Sequence, residues 1–180
     1  MINILFIPLN TEHLEIIRTW RNSEDVSKFM YTNDYISEEQ QLNWYNKVSD
    51  DSSQKHWIIK KGEVYIGLIS LYSIKPNFKT AFWAFYIGDD NARDSGIGAK
   101  IEFKFLNFYF NDFGFNKLIC EVLPFNDKVI RLHEKFGFRR EGHFRQHILK
   151  QNVYHDVVSL ALLKSEWLSI RDSFSKILNR

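Results

Sequence analysis

The hydrophobic period changes at His56, and this change limits the possible folds more than any other feature of the chain. Upstream, apolar residues recur at helical spacing, as at Leu14, Ile17 and Trp20, which predicts helices. Downstream, three stretches of strand character follow one another with short turns between them. They are residues 56–61, 64–74 and 80–88. Strands joined by short turns predict an antiparallel meander.

The second half of the chain alternates helices and strands. After a polar loop, residues 96–110 predict a helix that is apolar over much of its circumference and is therefore deeply packed. A strand over 117–123, a helix over 126–136, strands over 143–150 and 153–163 and a closing helix follow. With a first strand over 2–7 and two early helices, this order predicts an α/β (α+β) fold with a mixed sheet. A length of 180 residues without a linker predicts one domain, 1–180.

Charge and cysteine content exclude several classes of protein. The formal net charge is only +2, so nucleic acid is not an expected partner. Residues 127–180 nevertheless carry 11 basic and 6 acidic side chains, against 13 and 16 in residues 1–126, so an anionic ligand would prefer the later part. A single cysteine, Cys120, and the lack of a signal-peptide pattern predict a cytoplasmic protein. The longest apolar stretches are interrupted well before membrane-spanning length, so no membrane association is expected.

A glycine-containing turn, Arg93-Asp94-Ser95-Gly96-Ile97-Gly98, lies after a strand and at the start of the long helix. The two glycines allow a phosphate to approach the backbone closely, and the helix N-terminus supplies unpaired N–H groups and a favourable dipole. Loops before helices often contain glycine for structural reasons, so the turn alone is a weak indication. The third glycine of a dinucleotide-binding fingerprint is absent, since Ile101 occupies that position, and no P-loop is present.

The segment NDKVIRLHEKFGFRREG, residues 126–142, adds a second motif in the same order along the chain. Together with Arg93-x-x-Gly96-x-Gly98, it resembles the GNAT superfamily of N-acetyltransferases. The resemblance implies a mostly antiparallel central sheet with flanking helices and a splayed pair of parallel strands. It also implies acetyl-CoA as co-substrate, a small-molecule amine as acceptor and no metal.

The resemblance assigns cofactor contacts residue by residue. It places the pyrophosphate on the backbone of Ser95, Gly96, Ile97 and Gly98, with Arg93 in the first position of the motif. It places the pantetheine arm beside Tyr86, Ile87 and Gly88, and it makes Asn126 a cofactor contact. Lys128 and Arg131 lie on the helix after Asn126, where they could approach CoA phosphates or simply form a solvated helix face.

Acetyl transfer to an amine requires a proton donor for the departing thiolate and a base for the amine. The family commonly has a tyrosine as general acid at the position of His133, and a histidine with an ordinary pKa near 6.5 can also donate a proton. If His133 instead faces solvent, the acid is Tyr86 or Tyr154. Glu121, on the strand before this helix, is the candidate base, although exposure at a sheet edge would also explain a carboxylate there.

Two other readings of reactive side chains are rejected. His143 and His147 have the spacing of a helical metal pair, but the segment reads as a strand, where that spacing separates the rings. No metal site is therefore predicted. Cys120 lies in an apolar run, which favours a buried small hydrophobic residue over a nucleophile.

The N-terminal region suggests the acceptor. The stretches Trp20-Arg21-Asn22, Phe29-Met30 and Tyr35-Ile36-Ser37 look like the acetyltransferases of pseudaminic acid biosynthesis, which acetylate the 4-amino group of a UDP-linked amino-dideoxy sugar. On this resemblance Arg21 matches a nucleotide-contacting arginine, and Gln41 replaces the usual histidine. The predicted substrate-binding residues are Arg21, Asn22, Gln41 and Tyr154.

Two alternatives remain open from the sequence. The stretch from Glu141-Gly142 to Val158 looks equally like the acetyltransferases of ribosomal-protein N-termini and of polyamines. From a different class, a domain without the usual tyrosine at position 133 could be a non-catalytic acetyl-CoA sensor. A homodimer is possible in either case.

Overall fold

The computed structural model describes residues 3–93 and 96–178, and it contains one seven-stranded sheet flanked by helices. The strands are β1 (Ile4–Pro8), β2 (Lys55–Lys61), β3 (Val64–Lys75), β4 (Thr80–Ile87), β5 (Lys117–Val122), β6 (Arg139–Lys150) and β7 (Val153–Leu163). The α-helices are α1 (Leu14–Asn22), α2 (Glu24–Ser27), α3 (Glu38–Ser49), α4 (Ile97–Phe108), α5 (Asp127–Lys135) and α6 (Lys164–Leu178). Apart from the one-turn helix α2, this order is the predicted one.

The strand order in the sheet is β1-β2-β3-β4-β5-β7-β6. The registers β1–β2, β2–β3, β5–β7 and β6–β7 are antiparallel, whereas β4 and β5 pair in parallel. The predicted mixed, mostly antiparallel sheet is confirmed. The parallel ladder joins only Thr80–Phe82 to Lys117–Ile119, although β5 continues to Val122 in its ladder with β7. The short ladder fits the predicted splay of the two parallel strands.

Local signals in the sequence explain where several elements begin and end. The Ser37 hydroxyl accepts a hydrogen bond from the Gln40 N–H at 3.1 Å, and the Gln40 side chain accepts one from the Ser37 N–H at 2.8 Å. This capping box starts α3 as predicted. At the end of α5, Gly137 has a φ of +92°, and the Phe138 N–H donates to the His133 carbonyl at 3.1 Å. The left-handed glycine therefore ends α5 and turns the chain into β6.

Short elements were not predicted. They are α2, the 3₁₀ turns Thr11–His13 and Asp90–Ala92, and a π-helical turn over Tyr109–Phe113 that extends α4. Each is too short to show a hydrophobic period of its own. Across residues 3–93 and 96–178, every helix is too short or too polar to cross a bilayer.

The contacts divide the chain into two compact units, so a single domain remains a prediction. Of the described residues, the N-terminal unit contains 3–74 and 83–93, and its core is formed by Ile17, Trp20, Val26, Ile58 and Leu68. The C-terminal unit contains the described residues 75–82 and 96–178. Its interior is rich in buried aromatic side chains, among them Phe105, Phe110, Phe136 and Trp167. Two of these belong to α4 and its π-helical extension, which explains why that segment is apolar on most sides.

Candidate active site

The glycine turn of the C-terminal unit leaves the start of α4 open. Gly96 occupies the N-cap position with a φ of +107°, and no described side chain caps the helix. Its chain neighbours aside, a Cβ atom built on Gly96 would meet no atom of residues 3–93 or 96–178 within 4 Å. Uncapped N–H groups at a helix N-terminus suit a diphosphate. Asp94 and the predicted contact Ser95 lie outside the described residues.

The start of α5 is also uncapped. Asn126 is in the N-cap position, yet its side chain makes no capping hydrogen bond. Lys128 is exposed, and Arg131, with 77% of its side chain exposed, pairs with Asp127 at 2.7 Å. Both cations therefore lie on a solvated face of α5, and their contact with CoA phosphates stays a prediction.

Helices α4 and α5 meet along one face of α4. A Cβ atom on Gly98 would lie 3.5 Å from Leu132 Cδ2, an ordinary packing distance. One turn later on the same face, Glu102 Oε1 lies 2.8 Å from His133 Nδ1. Glu102 is 0% exposed and His133 is 3% exposed, so the pair is completely interior.

The burial of His133 excludes the alternative that it faces solvent. Burial alone would lower the pKa of His133, but the adjacent Glu102 carboxylate and the Cys120 side chain together raise it well above the usual value. Both neighbours therefore favour the protonated imidazole. Its role as the general acid remains a prediction. Cys120 is 2% exposed, as expected for a residue in an apolar run.

The sequence analysis missed Glu102. The available signal was the single acidic residue of this helix, between Ile101 and Phe103. A carboxylate on the buried face of such a helix needs a partner. That the partner is His133 follows only from the packing of α4 against α5.

The candidate base Glu121 lies on β5 beyond the short parallel ladder with β4. Strand β5 lies between β4 and β7, and Glu121 is in register with Ser159 of β7, whereas the ladder with β4 ends at Ile119. The role of Glu121 as base stays a prediction. Side chains alternate along a strand, so partly buried Glu121 points to the face opposite Cys120. Tyr154, near the start of β7, is 61% exposed.

In the N-terminal unit, Tyr86 has a buried hydroxyl with no hydrogen-bond partner among the described residues. Burial raises the pKa of Tyr86 well above its ordinary value, and the positive charge of Arg21 partly opposes this shift. Gly88, two residues later, is bonded and packed within the N-terminal unit. The Gly88 N–H donates to the Ile66 carbonyl at 2.8 Å, and a side chain at Gly88 would collide with the indole of Trp20.

Arg93 is bonded within the N-terminal unit. Its Nε donates to the Ile87 carbonyl at 3.1 Å, and its guanidinium lies 2.8 Å from Asp90 and 3.4 Å from Asp25. These contacts brace the loop that follows β4. The predicted contact of Arg93 with a phosphate is not tested by this arrangement.

Arg21 differs from the other arginine of α1. Arg18 lies 2.7 Å from Glu15. Half-buried Arg21 instead donates a hydrogen bond to Thr32 Oγ1, at 3.5 Å, and forms no ion pair with any carboxylate of the described ranges. Burial lowers the pKa of Arg21, and nearby Tyr86 partly offsets the shift. The structure thus brings Arg21 and Tyr86 together and leaves both poorly satisfied.

The other two predicted substrate residues of this unit are occupied or enclosed. The Asn22 side chain donates to the Ile36 carbonyl at 2.9 Å and accepts from the Ile36 N–H at 2.8 Å. Asn22 therefore positions the loop around Ile36. Gln41 is 4% exposed, so a ligand can contact it only from inside the fold. Their contact with substrate stays a prediction.

A cleft of about 370 Å³ in the N-terminal unit is lined in part by Tyr45, Gln54 and His56. None of the predicted substrate residues lines this cleft. Within the described ranges, no three His, Cys, Asp or Glu side chains gather closely enough to hold a metal ion.

The geometry of the sheet and of the glycine turn agrees with the family comparison. The acetyltransferase (GNAT) domain family matches residues 3–139, so the chain belongs to this family. It is an N-acetyltransferase that uses acetyl-CoA, and not the non-catalytic sensor considered from the sequence.

Two of the curated relatives cover most of the chain and carry different names. The acetyltransferase PseH of Campylobacter jejuni is 28% identical over 150 residues, which is 83% of this chain and 88% of that protein. Spermidine N(1)-acetyltransferase of Vibrio cholerae is 23% identical over 157 residues, 87% of this chain and 90% of that protein. Only the second of these names states an acceptor, spermidine.

A solved structure with the same fold is spermidine N-acetyltransferase from Vibrio cholerae in complex with CoA and spermine. It has a TM-score of 0.85 and 22% identity, and it covers 92% of this chain and 98% of that one. The same enzyme is solved as a dodecamer, with a TM-score of 0.79, 21% identity and coverage of 92% and 96%. At these identities the likeness shows the fold alone.

Proposed function

We propose that this enzyme transfers an acetyl group to the 4-amino group of a UDP-linked amino-dideoxy sugar. The observation that carries the proposal is the half-buried cation Arg21, which has no carboxylate partner in residues 3–93 or 96–178. Removing an arginine from water without a counterion is unfavourable unless a ligand supplies the negative charge. The diphosphate of a nucleotide sugar supplies it, and a guanidinium binds such groups in a bidentate manner.

A polyamine is the second candidate acceptor, and the 23% identity with a spermidine acetyltransferase favours it. A polycation would be repelled by Arg21, since like charges at short range in a partly desolvated site destabilise a complex. The unpaired arginine therefore supports an anionic acceptor over spermidine. An amino-terminal peptide of a ribosomal protein is a third candidate that the same assay tests.

The roles proposed for the chain's own residues follow from their positions. Bound acetyl-CoA supplies an acetyl thioester. The uncapped N–H groups around Gly96, Ile97 and Gly98 hold the pyrophosphate, and Asn126 makes a further contact at the start of α5. Glu121 accepts a proton from the amine, directly or through water, and His133 or Tyr86 donates one to the departing thiolate.

An acceptor screen tests the proposed substrate class. Purified enzyme and acetyl-CoA are combined separately with a UDP-4-amino-4,6-dideoxy sugar, spermidine and an amino-terminal ribosomal peptide, and thiol release is followed. We expect kcat/KM to be at least about a hundredfold higher for the nucleotide sugar. Preference for spermidine or the peptide would overturn the proposed acceptor but not the family assignment.

A glycine substitution tests the pyrophosphate site. Gly96→Val places a side chain in the space beside the turn, and we expect acetyl-CoA binding to be lost in calorimetry. Gly114→Val is a matched control in the same unit, because Gly114 also has a positive φ, +65°, and no atom within 4 Å of an added Cβ. Both variants carry the same kind of backbone strain. Equal affinities of the two variants would remove the assignment.

Assembly and location complete the proposal. The dodecameric Vibrio structure supports homo-oligomerisation, and light scattering of the purified chain would give its oligomeric state. A single, buried and unbonded cysteine is compatible with the reducing cytoplasm, where we place the enzyme.

A further inference from the structure

Glu102 is the most deeply buried charged group of the C-terminal unit. Its exposure is 0%, Oε1 lies 2.8 Å from His133 Nδ1, and Oε2 has no hydrogen-bond partner among the described residues. A buried carboxylate is unfavourable unless a cation and hydrogen bonds stabilise it, and an apolar pair at these positions would stabilise the fold as well or better. The pair therefore needs an explanation other than stability.

The position of Glu102 between two helices suggests why the buried pair is present. It lies one turn after Gly98 on the face of α4 that packs against α5, where Gly98 contacts Leu132 and Glu102 contacts His133. The N-terminal ends of these two helices carry the proposed cofactor contacts, at Gly96 and at Asn126. A change in the spacing of α4 and α5 would therefore move one set of contacts relative to the other.

We propose that Glu102 is a positioning residue, whose hydrogen bond to His133 holds α4 and α5 at the spacing that one bound acetyl-CoA requires. The proposal rests on the proposed binding of acetyl-CoA at the start of these helices. It also accounts for the departure from the family at position 133. A tyrosine there would leave the Glu102 carboxylate buried without a cation, so the acid and the histidine are needed together.

The pair should respond to pH. Groups that face His133 include Glu102 from α4 and the Cys120 thiol from β5, with the Phe138 ring 5.1 Å away. Because the folded-state pKa of His133 is raised, the imidazolium loses its proton only as the pH rises through that raised value. The charged pair then becomes a weaker, singly charged contact. Acetyl-CoA affinity should therefore fall at alkaline pH.

The test compares Glu102→Gln with Glu134→Gln. Glu134 belongs to the same pair of helices but forms its ion pair with Arg140 at the surface, with 38% of its side chain exposed. We expect Glu102→Gln to raise both the Kd and the KM for acetyl-CoA about tenfold, the equivalent of about 1.4 kcal/mol. Glu102→Asp should recover part of the affinity, and Glu134→Gln should match wild type.

The pH profile separates positioning from a structural role. Wild-type affinity should fall as the pH rises, whereas Glu102→Gln and the double variant Glu102→Leu, His133→Leu should show no such step. The apolar double variant keeps the interior filled if the single variant is unstable. Suppose that Glu102→Gln and the double variant both showed the affinity and pH profile of wild type, while Gly96→Val still failed to bind. This result would overturn the positioning role alone. Failure of the wild-type protein to bind acetyl-CoA would overturn the cofactor site and this proposal with it.

Discussion

The two compact units treat a buried charge in opposite ways. In the C-terminal unit, Glu102 and His133 are both almost completely enclosed and lie 2.8 Å apart. In the N-terminal unit, half-buried Arg21 has only the Thr32 hydroxyl, at 3.5 Å, and lies near the unpartnered hydroxyl of Tyr86. The buried charge of the C-terminal unit has a partner inside the protein, whereas Arg21 of the N-terminal unit has no charged partner among the described residues.

This difference separates two roles. A buried charge with a partner is part of the protein's own framework, and removing either member leaves the other uncompensated. A desolvated charge without a partner destabilises the free protein, because its lost hydration is not compensated. A bound ligand of opposite charge compensates for that lost hydration. Glu102 and His133 therefore fit a positioning role, and Arg21 fits the binding of an anionic acceptor.

The largest expected effect comes from breaking the internal pair. His133→Leu leaves the Glu102 carboxylate buried without a cation, and we expect it to lower the free energy of unfolding by about 3–5 kcal/mol. Urea denaturation measures this loss. The double variant Glu102→Leu, His133→Leu should recover most of it. A double variant no more stable than the single one would show that the loss arises from packing and not from the charge.

A smaller effect is expected when the unpaired charge is removed. Arg21→Met should lower kcat/KM for the UDP-amino sugar about a hundredfold, about 2.7 kcal/mol, without lowering the free energy of unfolding. Methionine keeps an apolar stem of similar length but has no charge to satisfy. Arg18→Met is the matched control on the same helix, because Arg18 is already paired with Glu15 at 2.7 Å. Arg18→Met should leave kcat/KM near wild type, and equal losses in the two variants would contradict an anion site at Arg21.

The sequence predicted those features whose interacting residues are neighbours. The capping box of Ser37 and Gln40 spans three positions, and Gly137 ends α5 through its own backbone conformation. Such signals can be read locally because the partners occur together in the chain. The period change at His56 likewise predicted the meander, since strand and helix periods differ over a few residues.

The charge pairing could not be read in this way. Glu102 and His133 are separated by 31 positions, and their contact depends on how two helices pack. Whether Arg21 has an ion-pair partner depends on which acidic side chains lie near it in the fold. Amino-acid composition does not give this information. Family resemblance located the motifs and the acceptor region, but the burial of His133 and the interior position of β5 required the structure.

The effect that is smallest over a single pH unit concerns two histidines with opposite surroundings. In the N-terminal unit, His56 Nδ1 lies 2.8 Å from Ser70 Oγ, and burial lowers the pKa of His56 to about 4, with Asp51 slightly opposing the shift. The unfolded chain therefore binds this proton first, so His56 should reduce stability as the pH falls from about 6.5 to about 4, by at most about 1.4 kcal/mol per pH unit.

His133 has the opposite sign, because its pKa is raised. Its contribution to stability is fully present below the unfolded-state pKa, near 6.5, and is lost as the pH rises through the folded-state value. Urea unfolding of wild type, His56→Gln and the Glu102→Leu, His133→Leu variant across pH would separate the two limbs. We expect His56→Gln to flatten only the acid limb and the double variant only the alkaline limb. Suppose instead that His56→Gln changed the stability at alkaline pH, or that the double variant changed it at acid pH. The presence or absence of a charged partner would then not be what distinguishes the two units.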